Sequence, residues 1–331
     1  MEKLNLGWGT KCEEVIQAVS TLPGNNIDSL KEATTIITGA NTGIGKETAF
    51  HISGLQGQVI LACRNTEKAE KAAKAIRKRH GKKQVKITCL QLDLSSLENV
   101  KSFVDEYRKL SNENGWPPLK CMILNAGLFP TSGYAETVDG YERTFAVNHL
   151  GHFLLTNLLL PDLRSAAPSR VVVVSSGSHY GPLVTKEITS EEEWMKKVVN
   201  REKKNFKSIN AYGTSKLCNV LFAQSLCEKE EANGITTASL HPGSLIATDI
   251  ARENLIVYLF HKYVIGWFTK SVNQGSSTTV TCSVLPPEDL KGQYFSDCKA
   301  IPESKRATGE RGQNARDLLW KISEDLCRSY L

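Results

Sequence analysis

The sequence predicts an α/β fold, a doubly wound parallel sheet built as a single domain. Short apolar runs recur between helical patterns, the first run passes directly into a glycine-rich turn and a helix, and 331 residues suit one large sheet covered on both faces. A composition of 40% hydrophobic and 23% charged residues is that of a globular chain, which excludes disorder and fibrous repeats.

Residues 1–30 read as an N-terminal leader ending at Pro23-Gly24-Asn25-Asn26, with the main domain over 31–331. The strands fall at Thr34–Gly39, Gln58–Arg64, Val85–Asp93, Cys121–Ala126, Arg170–Ser176, Thr236–His241 and Gln293–Ser296. Between the third and fourth, Leu97–Leu110 places Val100, Phe103, Val104 and Tyr107 at helical i, i+3, i+4, i+7 spacing, a stripe that covers a sheet face. Asn148–Leu160 and Tyr212–Cys227 are apolar around most of their circumference and read as buried central helices. Thr185–Asn210 is strongly charged and reads as a surface insertion, long for a compact α/β unit. Gly312–Tyr330 reads as a closing helix.

The 41 basic and 35 acidic residues leave a net charge of +6, densest from Arg64 to Lys86, where the cations cover the solvated face of a helix rather than a nucleic-acid site. Nine cysteines, an odd number without CxxC or Cys/His spacing, argue against a disulfide framework and a metal site and suit a reducing compartment. The N-terminus lacks the apolar core of a signal peptide and no run is long enough to span a bilayer. The expectation is a cytoplasmic protein, soluble or peripheral to an intracellular membrane, with a homo-oligomer left open.

Thr38-Gly39-Ala40-Asn41-Thr42-Gly43-Ile44-Gly45 lies between a strand and the helix former Lys46-Glu47-Thr48-Ala49. Glycines there allow a tight turn and close backbone approach, while the helix N-terminus offers free N–H groups to a pyrophosphate. That makes a Rossmann-type dinucleotide cradle. The spacing G-x-x-x-G-x-G resembles the short-chain dehydrogenase/reductase family, whose fingerprint is T-G-x-x-x-G-x-G. Leu92-Asp93-Leu94-Ser95, Leu124-Asn125-Ala126-Gly127, Val147-Asn148-His149-Leu150-Gly151, Val173-Val174-Ser175-Ser176, Tyr212-Gly213-Thr214-Ser215-Lys216 and His241-Pro242-Gly243 follow in the family's order over residues 30–300. Within the family, ILACRN, FAVNHLGHFLLTNLLL, AYGTSKLCNVLF and GQYFSD resemble the retinol dehydrogenases and the WW domain-containing oxidoreductase. The stretch before the fold is too short for paired WW modules, and Leu124 replaces the first Asn of the usual N-N-A-G motif.

Where NAD-binding relatives carry an acid at the end of the second strand, this chain has Cys63-Arg64-Asn65, so Arg64 reads as the selector of an NADP 2′-phosphate; a structural, solvent-exposed arginine is the competing reading. The resemblance implies that Asp93 caps the adenine, which is compatible with a helix-capping role. Tyr212 and Lys216 share one helix face, and an ammonium beside a phenol favours the phenolate, which would bring Tyr212 toward neutral pH as a proton-transfer group. Ser176 would hydrogen-bond the substrate oxygen. Tyr258 and Lys262 repeat the spacing but lie past Pro242-Gly243, away from Ser176, and are rejected; His149 and His179 read as core or surface residues. The resemblance further implies that Asn148 links Lys216 to solvent, and that the Pro242-Gly243 loop binds the carboxamide through Ile246 and Thr248.

Residues 245–270 read as an apolar substrate lid or, alternatively, a core helix. The lid would close over a lipophilic substrate and touch a membrane surface. The expectation is thus an NADP(H)-dependent oxidoreductase acting on a lipophilic carbonyl or alcohol. The alternative is a catalytically silent Rossmann scaffold for interaction or redox sensing, which would need none of Ser176, Tyr212 and Lys216. A serine hydrolase is disfavoured by the absence of a G-x-S-x-G elbow.

Overall fold

The computed structural model describes residues 4, 6–181, 190–243 and 270–331. Eight strands form one sheet in the order β3-β2-β1-β4-β5-β6-β7-β8. They are β1 (Thr34–Thr38), β2 (Gln58–Cys63), β3 (Lys86–Gln91), β4 (Leu119–Leu124), β5 (Ser169–Val174), β6 (Ile235–His241), β7 (Tyr294–Ser296) and β8 (Lys299–Ala300). All neighbours pair in parallel except β7 and β8. The β7–β8 hairpin turns through Asp297 and Cys298, both left-handed at φ 51 and 63°, the geometry a two-residue turn needs. β8 has no counterpart in the sequence reading because two residues carry no period.

β1, β2 and β5 are buried at every position, as parallel strands covered on both faces must be. Among the described residues, the α-helices of five or more residues are α1 (Cys12–Ser20), α2 (Ile27–Lys31), α3 (Gly43–Ser53), α4 (Thr66–His80), α5 (Leu97–Asn114), α6 (Gly151–Ser165), α7 (Ser208–Glu230), α8 (Val272–Val284) and α9 (Gly309–Cys327). One core, with residues of α5, α6, α7 and α9, covers one sheet face; the other, with residues of α1, α3, α4 and α8, covers the opposite face. The expected stripe Val100, Phe103, Val104, Tyr107 is buried in the first. Ser96 caps α5 by accepting from Asn99 N–H, and Gly115 ends it in the left-handed region. In α4, Ala69, Ala72, Ala73 and Ile76 face inward while Lys71, Lys74 and Lys78 are exposed, so these cations form the solvated face the sequence suggests.

Two segments are more integral than the sequence suggests. The leader folds as α1 and α2: Cys12, Val15 and Val19 are fully buried, and the Cys12 N–H donates to Asn273 Oδ1 of α8 at 2.9 Å. The insertion read as surface contributes Trp194, Val198 and Val199 to the core, and the Glu142 N–H donates to the Val199 carbonyl at 2.8 Å. Its charges mask this: Glu191–193, Lys196 and Lys197 surround three apolar residues that share one helical side. All nine cysteines lie among the described residues and none is in a disulfide. Among the described residues no helix is long and apolar enough to cross a membrane. The apolar segment expected as a lid lies outside them, apart from Lys270.

Candidate active site

The strand order reverses between β1 and β4, which opens a crevice at the carboxyl ends of these strands, the usual ligand position in such sheets. The cleft there is about 430 Å³ and reaches from the end of β2 to the start of α7. Gly39, Asn41, Thr42, Gly43, Ile44, Gly45, Arg64, Asp93, Asn125, Ala126, Gly127, Tyr212, Lys216 and Pro242, all expected from sequence, line it together. Gly243 adjoins it, while Ile246, Thr248, Tyr258 and Lys262 lie outside the described residues.

At the cradle end, backbone packs on backbone. Gly39 takes φ 65°, and a Cβ on it would sit 2.9 Å from Ala126 Cα. A Cβ on Gly45 would sit 2.4 Å from the Asn125 amide nitrogen and 2.6 Å from the Gly39 carbonyl. Asn125 braces the turn by donating from Nδ2 to the Thr38 carbonyl at 2.9 Å. Arg64 is exposed where β2 ends, and the structure adds Asn65 and Lys68 beside it on the cleft wall. Asn65 caps α4, its Oδ1 accepting from Lys68 N–H at 2.7 Å. The four-residue step from Arg64 to Lys68 was a signal available in the sequence. Asp93 makes a local turn, accepting from the Ser95 N–H and hydroxyl at 3.0 and 2.6 Å. The helix cap is Ser96 rather than Asp93.

At the catalytic end, Asn148 and Lys216 are buried, while Ser176 and Tyr212 are half-buried at the cleft. Lys216 Nζ donates to the Val174 carbonyl at 3.0 Å, and lies 5.7 Å from the Tyr212 ring centre. The Ser175 hydroxyl fixes the same helix to β5 by donating to the Lys216 carbonyl at 2.6 Å. Burial lowers the Lys216 amine to about 8. Burial also raises the Tyr212 phenol, opposed by its hydrogen bond with Ser176. This reverses the direction expected for the phenol: desolvation outweighs the hydrogen bond from Ser176.

Ser176 is steadied by Ser178, whose hydroxyl donates to it at 2.8 Å, and by His179, bonded to the Ser176 carbonyl at 2.8 Å. Sequence reasoning missed both contacts, which depend on a short 3-10 turn after β5. Asn148 is fully buried in a π-helical turn, Ala146–Leu150, before α6. Its side chain accepts from Leu128 N–H at 2.8 Å and donates to the Leu128 carbonyl at 3.0 Å and to Ser215 Oγ at 2.9 Å. Gly127 keeps the space beside both groups open: a Cβ there would meet Lys216 Nζ at 3.2 Å and Asn148 Oδ1 at 3.4 Å. Phe129, also missed, meets the Tyr212 ring edge-on at 5.2 Å and lines the cleft.

A glycine cradle at the switch point of a parallel sheet, with Tyr212 and Lys216 in the same cleft, defines a Rossmann-type oxidoreductase. The family model described as short chain dehydrogenase matches residues 33–185. Retinol dehydrogenase 12 of Mus musculus is 38% identical over 293 residues, covering 88% of this chain and 85% of that protein. The WW domain-containing oxidoreductase of Gallus gallus is 39% identical over 297 residues, 89% of this chain and 68% of that protein. Among solved structures, an uncharacterized protein from Mycobacterium Paratuberculosis matches with a TM-score of 0.65 and 29% identity, covering 94% of this chain and 97% of that one. The chain belongs to the short-chain dehydrogenase/reductase family.

Proposed function

We propose that the protein is an NADP(H)-dependent reductase or dehydrogenase acting on a lipophilic carbonyl or alcohol of the retinoid, steroid or lipid-aldehyde class. The observation that carries the reading is one cleft with Arg64 and Lys68 at one end and Tyr212 and Lys216 at the other. Two cations where an acid would select NAD favour a 2′-phosphate. The cradle fits a pyrophosphate because Gly39, Gly43 and Gly45 bring backbone, not side chains, to its wall. Asp93 would hold the adenine, and Pro242, Gly243, Ile246 and Thr248 the carboxamide. When bound, the nicotinamide supplies or accepts the hydride.

The chain's own residues manage the proton. With its phenol raised by burial, Tyr212 is protonated at neutral pH and able to donate to a carbonyl oxygen. Ser176 would donate to the same oxygen, and the Lys216 ammonium, present below about pH 8, would favour the departing proton. The names of the retinol dehydrogenase relatives support a lipophilic alcohol, as does the Phe129 ring beside Tyr212. The apolar 245–270 segment would close over the substrate and touch an intracellular membrane from the cytoplasm. A silent scaffold would need none of Ser176, Tyr212 and Lys216.

The test is NADPH and NADH oxidation by purified protein against aliphatic aldehydes, retinal and steroid ketones. Turnover with NADPH that rises with substrate chain length supports the reading. Equal use of both nucleotides, or no turnover on any carbonyl, overturns it.

A further inference from the structure

His152 lies between the cofactor cradle and the catalytic residues and takes no part in the proton transfer described above. It is 2% exposed, and both ring nitrogens have partners: Nε2 is 2.9 Å from Thr38 Oγ1, and Nδ1 is 3.2 Å from the Asn148 carbonyl. Counting protons fixes the tautomer. A carbonyl only accepts, so Nδ1 carries the hydrogen. In the neutral ring Nε2 must then accept, and the Thr38 hydroxyl supplies the proton. The Thr38 oxygen in turn accepts from Ala126 N–H at 2.9 Å. One directional chain therefore runs from Ala126, just past β4, through Thr38 of β1 and His152 of α6 to the Asn148 carbonyl. Burial holds the imidazole down at about 4, and the charge of nearby Lys216 acts in the same direction, so the ring is neutral when the enzyme works.

We propose that His152 is a positioning residue that sets the Asn148 turn against Thr38, where the cradle begins, and so keeps Asn148 in register with Lys216. The proposal rests on the catalytic reading above. Asn148 is then held twice, its side chain by Leu128 and Ser215 and its carbonyl by His152. The molecule contains its own control. His149, three residues earlier and 1% exposed, places Nε2 2.9 Å from Ser323 Oγ of α9 and packs among Phe145, Phe153 and Phe222.

The experiment measures kcat, KM and NADPH affinity for His152→Leu, His152→Gln, Thr38→Val and His149→Leu, beside Tyr212→Phe. His152→Leu should lower kcat roughly 10- to 100-fold, as expected for a displaced catalytic group, with KM changed less than about twofold. Glutamine, which can both donate and accept, should restore most of the loss. Thr38→Val, which leaves the ring in place, should reproduce it and keeps the test valid if His152→Leu does not fold. His149→Leu should lower thermal stability and leave kcat near that of the parent. Wild-type kcat in His152→Leu or Thr38→Val, or an equal loss in His149→Leu, overturns the proposal. Activity surviving Tyr212→Phe would instead overturn the catalytic reading on which it rests.

Discussion

At the β1–α3 end of the cleft the wall is backbone, and its shape depends on side chains that are missing: Gly39 and Gly45 have no room for a single Cβ. At the β5–α7 end the wall is made of polar side chains taken out of water, with Asn148 fully buried and Lys216 3% exposed. The first end works by steric permission and the second by electrostatic tension, since burial opposes charge on Lys216 and on Tyr212 alike. Substitution should therefore act as a geometric block at one end and as a shift in proton affinity at the other.

The largest effect is expected at the tense end. Lys216→Met should cut reductive kcat by roughly 10²- to 10⁴-fold, the usual contribution of a general acid–base group, because the phenol loses its cationic neighbour. In the parent protein, reductive kcat should fall as pH rises through about 8, where Lys216 discharges. A pH–rate profile flat from neutral to well above that value would contradict the assignment.

At the permissive end, Gly45→Ala pushes a methyl into the Asn125 amide and the Gly39 carbonyl, at 2.4 and 2.6 Å, and NADPH affinity should drop by roughly 100-fold or more. Gly81→Ala is the matched control: its Cβ would meet nothing within 4 Å, so only its backbone, at φ 63° and ψ −120°, is strained, costing about 1–3 kcal/mol of stability. Calorimetric titration of both variants distinguishes a blocked cradle from a general loss of fold.

Acid should expose the tension as a loss of stability. His149, His152 and His179 are held by burial at about 3, 4 and 4, below the ordinary 6.5. Between those values the unfolded chain binds protons that the native protein does not, so stability rises with pH across the window and is lost as pH falls through it. Each imidazole contributes on the order of a few kcal/mol over the full range. Urea unfolding at pH 7 and pH 5 should differ by several kcal/mol, and equal midpoints with equal slopes would refute the buried neutral state.

The smallest effect concerns Arg64. Its exposed guanidinium is one of two cations on that wall, so Arg64→Asp should weaken NADPH by about ten- to a hundredfold, or roughly 1.5–3 kcal/mol, while NADH changes little. Titration of both nucleotides checks it, and unaltered NADPH affinity would remove Arg64 as selector.

The two ends also differed in how readily the sequence disclosed them. The cradle is contiguous, Thr38 to Gly45, and its spacing is its geometry. Tyr212 and Lys216 were legible because one helix turn joins them. The supporting contacts were not legible: Thr38 and His152 are 114 residues apart, and Ser304 N–H reaches His179 Nε2 across 125. Only the sheet brings such pairs together. The phenol's direction was misjudged for the same reason, since spacing reports a neighbouring charge and is silent about desolvation. α1 was there to be found, with Cys12, Val15 and Val19 at i, i+3 and i+7, but it is short enough to pass for a leader.

The central claim is that Tyr212 moves the proton while the cradle independently holds the nucleotide. A single-turnover measurement with NADPH bound to Tyr212→Phe tests it most directly, following nicotinamide absorbance after a carbonyl substrate is added. Tyr212→Phe should keep parental NADPH affinity with hydride transfer slowed by roughly 10³-fold or more, since a general acid is lost and the cradle is untouched. Hydride transfer at the parental rate, or loss of NADPH binding together with activity, would contradict it.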